Sequence, residues 1–389
     1  MIRVREIAAS DAREIRLRLV LDHCKWDPQV GDQNTLPPYA LVMDRFAWSE
    51  LEATTETLAR ELARVEHALG SRADFDDTLG VPRALRAMIR APLDPTPALA
   101  RVMRFDFHPT HDGWALSEIN ADVPGGFTEA SHLPRLAGEA LGLDGVGDPA
   151  RAFVDAMVAR VAEGDAVAFV CAPGFMEDAQ VVTLLARELE ARGRRGILGN
   201  AKSLSWRDGH ARMRDADVAG IVRFYQAEWI AEMRGSIPLF SGGKTPVTNP
   251  ACAAVAESKR LPLVLDGLGA PSLHAAFPET RDARDVAWRS SPDAWVLKGT
   301  YSNTGDRVIF PERLGRAARA LLAMRTFARP DDWVAQRRFE SAPIDSPDGP
   351  LHACVGVYVV DGNVAGAYAR VSHHAIIDFR AMDVALLLD

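Results

Sequence analysis

The sequence predicts a mixed α/β (α+β) protein, and three observations carry that reading. Buried-strand runs alternate with an amphipathic helix between residues 165 and 225, the order of a parallel strand–helix–strand unit. Apolar residues recur at helical spacing over 49–69. Alternating strands joined by short turns recur around Asp112, around Asn303 and around Gly362.

Taken in order, residues 1–45 mix helix with a Pro- and aromatic-rich loop, and Leu36-Pro37-Pro38-Tyr39 interrupts regular structure. Over 49–69, Leu51, Leu58, Leu62, Val65 and Leu69 share a helical face, with Gly70-Ser71 as the stop. A shorter helix over 81–89 has Pro82 near its start. Arg104 to His108 and Trp114 to Asn120 read as two adjacent strands, and 127–141 as a helix opening behind Pro124-Gly125-Gly126. Near residue 150 the pattern changes. Residues 165–172 form a buried strand, 177–192 an amphipathic helix ended by Gly193, and 195–199 and 218–225 further strands. The turn Ala172-Pro173-Gly174-Phe175 lacks a GxGxxG fingerprint, so no dinucleotide site is expected there. Beyond residue 235 the chain is loop-rich, and a helix then carries Lys259. Residues 295–298 and 308–310 form a hairpin around the 299–307 turn. A helix over 313–325 follows, then strands over 333–339, 353–360 and 364–371, the last two joined at Asp361-Gly362-Asn363. Three segments result: 1–149, a small open α/β unit over 150–235, and 236–389 with the lysine hairpin and C-terminal strands.

With 389 residues and 48% hydrophobic content, the chain is long enough for two or three domains. A formal net charge of −8 argues against a surface dedicated to nucleic acid or anionic lipid. The four cysteines, Cys24, Cys171, Cys252 and Cys354, have no metal-binding spacing, and their sparsity fits a reducing cytoplasm. The first residues form no apolar h-region and no apolar run reaches membrane-spanning length, so neither a signal peptide nor a membrane span is expected. The expectation is a cytoplasmic, enzyme-sized protein with neither nucleic-acid nor membrane partners.

The chemistry concentrates on Asp106, Glu118 and Asn120. Side chains alternate along a strand, so Glu118 and Asn120 share a face, as do Arg104 and Asp106. Two carboxylates, an amide and a guanidinium on one sheet surface make a costly core. They are, however, suited to Mg2+, which takes one or two carboxylates and completes its shell with phosphate oxygens and water. The bland reading is a surface hairpin with solvated acids. Lys298 heads a Gly-containing turn whose backbone N–H groups can approach phosphate closely; the bland reading is a polar hairpin tip. Lys259 alone reads as one lysine on a solvated helix face, and Arg370 alone as a surface strand arginine. Gln336 lies in a short strand whose backbone can pair with adenine. Together these residues fit one ligand, MgATP, with two Mg2+ ions on the acids and the phosphates met by Lys259, Lys298, Arg104 and Arg370. The histidines show no metal spacing, and His373-His374, adjacent in a strand, would point opposite ways, so zinc is not expected.

The order of these parts resembles the synthetase domain of the glutathionylspermidine synthase family, in the circularly permuted ATP-grasp class. The motifs are RFDFH (104–108), ALSEINADVPGG (115–126), VAGIVRFYQAEWI (218–230), ESKRLPLVL (257–265), WVLKGTYSNTGDRV (295–308), WVAQ (333–336) and GAYARVS (366–372). The metal-ligand segment precedes the lysine segment, the permuted order. The resemblance implies an ATP-grasp fold with a small pre-ATP-grasp-like α/β domain. It implies Asp106, Glu118 and Asn120 as Mg2+ ligands, and Lys259 and Lys298 on the phosphates. Gly299 and Gly305 would belong to the lid turn and Gln336 to the adenine segment. Arg104 and Arg370 would stabilise charge on the transferring phosphoryl group. Gly299 stands where the family commonly has proline. No fused amidase region is expected, and hence no hydrolysis of the product. The implied activity is amide-bond formation: ATP phosphorylates a carboxylate, an amine attacks the mixed anhydride, and ADP is released. The substrates would be a small carboxylate and a small amine, with amino acids, peptides and polyamines as candidates. The alternatives are ATP-grasp phosphoryl transfer without ligation and a non-catalytic nucleotide-binding protein.

Overall fold

The computed structural model describes residues 2–89, 99–235, 243–250, 252–285, 287–302 and 307–389. Two antiparallel hairpins meet in a central five-stranded sheet, in the order Met382–Val384, Asn363–Ser372, His352–Val360, Val102–Thr110, Gly113–Asn120. The turns at residues 111–112 and at Asp361-Gly362 close the hairpins, as the sequence predicts. Pairing of His352–Val360 with Val102–Thr110 sets Gly356 opposite Asp106 and Tyr358 opposite Arg104.

Helices cover both faces of this sheet. Arg45–Gly70 begins where the Asp44 carboxylate accepts the N–H groups of Phe46 and Ala47 at 3.0 and 3.1 Å, a cap that contributes about 1 kcal/mol. Leu51, Leu58, Leu62, Val65 and Leu69 are all buried, in one core with Phe105, Phe107, Val355 and Val357. Each such side chain contributes roughly 1.5–3 kcal/mol. On the other face Phe127, from helix Phe127–Leu141, packs against Phe153 and Tyr358.

A second sheet is wholly parallel, in the order Val247–Thr248, Gly220–Phe224, Ala166–Cys171, Arg195–Gly199. Its outer strand Val247–Thr248 lies past residue 235, outside the 150–235 segment read from the sequence. Helix Met176–Glu190 is the crossover, ending just before Gly193. A third sheet is antiparallel, in the order Thr280–Asp282, Trp333–Arg337, Trp295–Gly299, Val308–Ile309, and carries Lys298. A fourth sheet joins the chain ends: Ile2–Glu6, Tyr39–Met43, Leu386–Leu388, Asp144–Gly145. It has no counterpart in the sequence reading, which placed helix and loop over 1–45. Among the described residues no helix is long and apolar enough to cross a membrane.

Three local expectations need correction. Lys259 is not on a helix: Ala253–Ala256 ends before it, and Lys259 sits in a turn leading to the Leu261–Leu263 3-10 turn. Pro262 explains this, because it has no N–H to donate and steers the preceding residues away from a continuing helix. The helix expected over 313–325 is shifted to Arg316–Ala328, behind a 3-10 turn at Pro311–Arg313. His373 and His374 lie beyond the strand end at Ser372, so strand alternation does not orient them.

Candidate active site

Asp106 and Glu118 are direct cross-strand partners, and Arg104 faces Asn120. The register slips between Asp106 and Phe107, so Glu118 and Leu116 pair while Ser117 has no partner opposite. This bulge bends the strand locally without moving Glu118 and Asn120 off the Arg104–Asp106 face. Ser117 also ties the site together. Its hydroxyl donates to the Asp106 carbonyl at 3.0 Å, and its carbonyl accepts Lys298 Nζ at 3.0 Å.

Arg104 grips Asp106 with two bonds, Nε to Oδ1 at 2.6 Å and Nη2 to Oδ2 at 2.9 Å. Its Nη1 donates to the Gly125 carbonyl at 2.8 Å, and its Cζ lies 5.3 Å from the centre of the Tyr368 ring. Asn120 donates through Nδ2 to Asp106 Oδ2 at 3.1 Å. Lys259 arrives from the turn described above, held by its own N–H to the Thr300 carbonyl at 3.0 Å. The neighbouring Arg260 anchors that turn through the carbonyls of Thr78, Pro330 and Trp333, at 2.5, 2.8 and 2.7 Å. Lys259 Nζ donates to the Ser302 carbonyl at 2.6 Å and lies 3.3 Å from Glu118 Oε2. Oxygen donors of the central sheet and ammonium groups from two later segments therefore surround Glu118.

The electrostatics follow from that crowding. Burial would raise the pKa of Glu118, but Lys259, Lys298, Arg104 and Arg370 together hold it down at about 2. Burial lowers Lys298 to about 8, against the opposing pull of Glu118. Burial also lowers His108 to about 4 and keeps it neutral.

Two cavities meet here. One, of about 370 Å³, lies between the central and lysine-bearing sheets and is bordered by Val296, Lys298, Arg337, Phe339 and Ile376. The other, of about 420 Å³, reaches the carboxyl ends of two adjoining parallel strands at Glu177, Asp178, Gln226 and Glu228. Glu118 and Arg370 border both. The second cavity is lined by ten acidic and three cationic side chains.

The structure thus gathers Arg104, Asp106, Glu118, Asn120, Lys259, Lys298 and Arg370. Gln336 stands apart. It pairs with Val296 across the sheet, but its buried side chain does not border the cavity. Its Nε2 donates to Thr280 Oγ1 at 3.3 Å, and the following Arg337, Arg338 and Phe339 supply the cavity wall instead. Gly299 donates its N–H to the Arg307 carbonyl at 2.9 Å, and a Cβ there would press on the Arg307 side chain at 2.9 Å. Of the lid turn expected over 299–306, residues 303–306, Gly305 among them, lie outside the described residues.

Among the described residues, no group of three or more His, Cys, Asp or Glu side chains is arranged to hold a metal ion. The donors that border the carboxylate-rich cavity, Glu118 and the Asn120 amide, are hard oxygen ligands of the kind Mg2+ takes. They could hold it with phosphate oxygens and water completing the shell. Asp106 has one oxygen bonded to Arg104 and the other to both Arg104 and Asn120, which leaves the Arg104-bonded Oδ1 a further lone pair.

Some residues that build the site left little trace in the sequence. At Gly356 a Cβ would lie 2.6 Å from Arg104 Cδ and 2.8 Å from Asp106 Oδ1, so the missing side chain makes room for the ion pair. A glycine between Val355 and Val357 in an apolar strand was the available signal. Lys25, buried, pairs with Glu129 and Asp383 at 2.5 and 2.9 Å, and Asp383 accepts the Tyr368 hydroxyl at 2.7 Å. These four residues come from distant segments, and no local pattern links them.

Three comparisons bear on this arrangement. The profile of the glutathionylspermidine synthase preATP-grasp family matches residues 38–387. A search of curated protein sequences returns no match. Among solved structures, a glutathione synthetase-like effector of Globodera pallida in its apo form is similar with a TM-score of 0.67 at 12% identity, covering 98% of this chain and 96% of that one. A putative gamma-glutamylcysteine synthetase of Methylobacillus flagellatus gives 0.48 at 11% identity, over 80% of this chain and 86% of that one. D-alanyl-alanine synthetase A of Vibrio cholerae gives 0.35 at 10% identity, over 55% and 69%. The first likeness is one of fold, and it spans nearly the whole of both chains.

Proposed function

The chain belongs to the glutathionylspermidine synthase preATP-grasp family, and from that premise we propose an ADP-forming ligase that joins a carboxylate to an amine through an acyl phosphate. Its fold is the mixed α/β ATP-grasp arrangement, with the metal-ligand segment preceding the lysine segment. The carrying observation is the convergence on Glu118: Lys259 Nζ lies 3.3 Å from its carboxylate, and Lys298 Nζ binds the adjoining Ser117 carbonyl at 3.0 Å.

In this reading the nucleotide occupies the cavity beside Val296, Phe339 and Ile376, with its phosphates toward Lys259 and Lys298. Mg2+ on Glu118 and Asn120 supplies charge neutralisation for the phosphoryl group. Arg370, at the junction of the two cavities, faces the charge that develops on the phosphoryl group and then on the acyl phosphate. Arg104 orients Asp106 and ties it to the Gly125 carbonyl, while Asn120 bonds Asp106 across the strand pair. The amine enters from the cavity lined by ten acidic and three cationic side chains, whose field favours an ammonium-bearing molecule over an anion.

The test is an ADP-release screen of free carboxylic acids against amines, with mass spectrometry of any adduct. Glutathione and spermidine, named by the family, are the first pair. ADP should appear only with both partners. Glu118→Gln should lower turnover by about 10²–10³ with an unchanged circular dichroism spectrum. Full turnover in that variant removes Glu118 from the site. ADP without adduct replaces ligation with plain phosphorylation.

A further inference from the structure

We propose that Glu257 is the base that deprotonates the amine before it attacks the acyl phosphate. The inference rests on the ligase reading and adds a residue to it. Glu257 borders the acidic cavity, while Lys259, two residues on, reaches Glu118 where the cavities meet. One short segment therefore presents an acid to the amine side and an ammonium group to Glu118 at the junction.

The carboxyl is oriented. Its Oε1 accepts the Asp122 N–H at 2.6 Å. Asp122 is itself fixed, accepting the Ala227 N–H at 2.7 Å and pairing with the buried Arg223 guanidinium. No hydrogen bond to Glu257 Oε2 occurs among the described residues. The other cavity acids near the junction are committed: Glu118 to Lys259, and Asp122 to Arg223. Farther along, Glu129 and Asp383 are held by Lys25.

The charged and titratable groups facing Glu257 are Asp122 beyond the Gly113–Asn120 strand, Glu228 on helix Ala227–Ala231, Lys259 on its own segment, and the Tyr301 hydroxyl of the hairpin. Burial, then Asp122 and Glu228, push the Glu257 carboxyl up to about 8, against the Asp122 N–H and Lys259. A base works best with a pKa near the working pH, and an arriving ammonium group favours the ionised form. Glu228, raised by burial and by Asp122, is the control.

The proton balance is explicit. The amine arrives as R–NH3+, and Glu257 takes one proton, freeing the lone pair. The nitrogen forms the C–N bond as the C–O bond to phosphate breaks. A second proton passes from that nitrogen to the leaving phosphate, giving the amide and hydrogen phosphate. Glu257 returns its proton to water.

The experiment compares hydroxylamine with 1,4-diaminobutane as nucleophile, using ATP, Mg2+ and each acid that scores in the ADP screen, from neutral to alkaline pH. Hydroxylamine is neutral at neutral pH and needs no base before attack, whereas the diamine is an ammonium ion and does. Glu257→Gln keeps an acceptor for the Asp122 N–H. It should slow amide formation by about 10²-fold or more at neutral pH and hydroxamate formation far less. The wild-type rate with the diamine should rise with pH through about 8, as Glu257 ionises. In the variant that limb should move up toward the ionisation of the amine itself. Glu257→Asp should recover part of the rate, and Glu228→Gln, which removes one of the charges that raise Glu257, should keep the limb and move it to lower pH. Equal losses with both nucleophiles, or none with either, overturn the assignment of Glu257. A wild-type protein that makes no hydroxamate with any acid overturns the ligase reading, and this inference with it.

Discussion

Gly356 stands where a single methyl group would collide with Arg104 and Asp106. Overpacking of this kind costs about 1–3 kcal/mol, and here the least costly relief is to push the guanidinium off the carboxylate. Gly356→Ala should therefore lower the urea midpoint and cut turnover by more than the lost stability explains, since Asp106 would lose its bidentate partner. Unchanged midpoint and turnover would show that the pair is not needed in this form. The same residues mark what was legible. Asp106, Glu118 and Asn120 could be placed on one surface because strand alternation is a local rule. The Ser117 bulge and the Gly356 clearance could not, because both depend on register with a neighbouring strand, and register is a property of the pair.

Among elements, helices were the most legible. The stripe from Leu51 to Leu69 and the helix Phe127–Leu141 follow a period of 3.6, which few residues are needed to reveal. The sheet joining the chain ends was invisible. Tyr39–Met43 is buried throughout and follows two prolines, and its partners lie at opposite ends of the sequence. Lys259 lies off a helix for a different reason, since the composition of Ala253–Ala256 is helical and Pro262 cuts that pattern short. How separate sheets are joined is a further matter of non-local contact. Arg223, on the parallel strand Gly220–Phe224, is paired with Asp122 at the end of the central sheet, and both are buried. Removing one partner of a buried pair costs about 3–5 kcal/mol, whereas replacing both by well-packed apolar groups often costs little. Asp122→Asn should thus cost stability on that scale in urea unfolding. The double variant Asp122→Leu with Arg223→Met should recover much of it. A single variant as stable as the wild type would show that the pair does not tie these sheets together.

For the whole molecule, the candidate nucleotide cavity is an interface between two sheets, walled by Lys298 and Val296 on one side and by Asp106, Glu118 and Cys354 on the other. A ligand that touches both walls stabilises the assembled form and not the unfolded chain. At one hundred times its dissociation constant it adds about 2.7 kcal/mol. MgATP should therefore raise the melting temperature, and Mg2+ alone should not reproduce the gain. Lys298→Met should remove most of the MgATP effect at the same nucleotide concentration. The pH dependence has a definite sign. Burial leaves Lys298 with a pKa of about 8 in the free protein, and phosphate oxygens beside it favour the ammonium form, so binding above that pH must take up a proton. The stabilisation by MgATP should be largest near neutrality and shrink as the pH rises through 8. Melting curves with and without MgATP, at neutral and alkaline pH, would measure it. An equal gain in Lys298→Met, or a gain indifferent to pH, would take Lys298 away from the phosphates and separate the two walls of the cavity as functional partners.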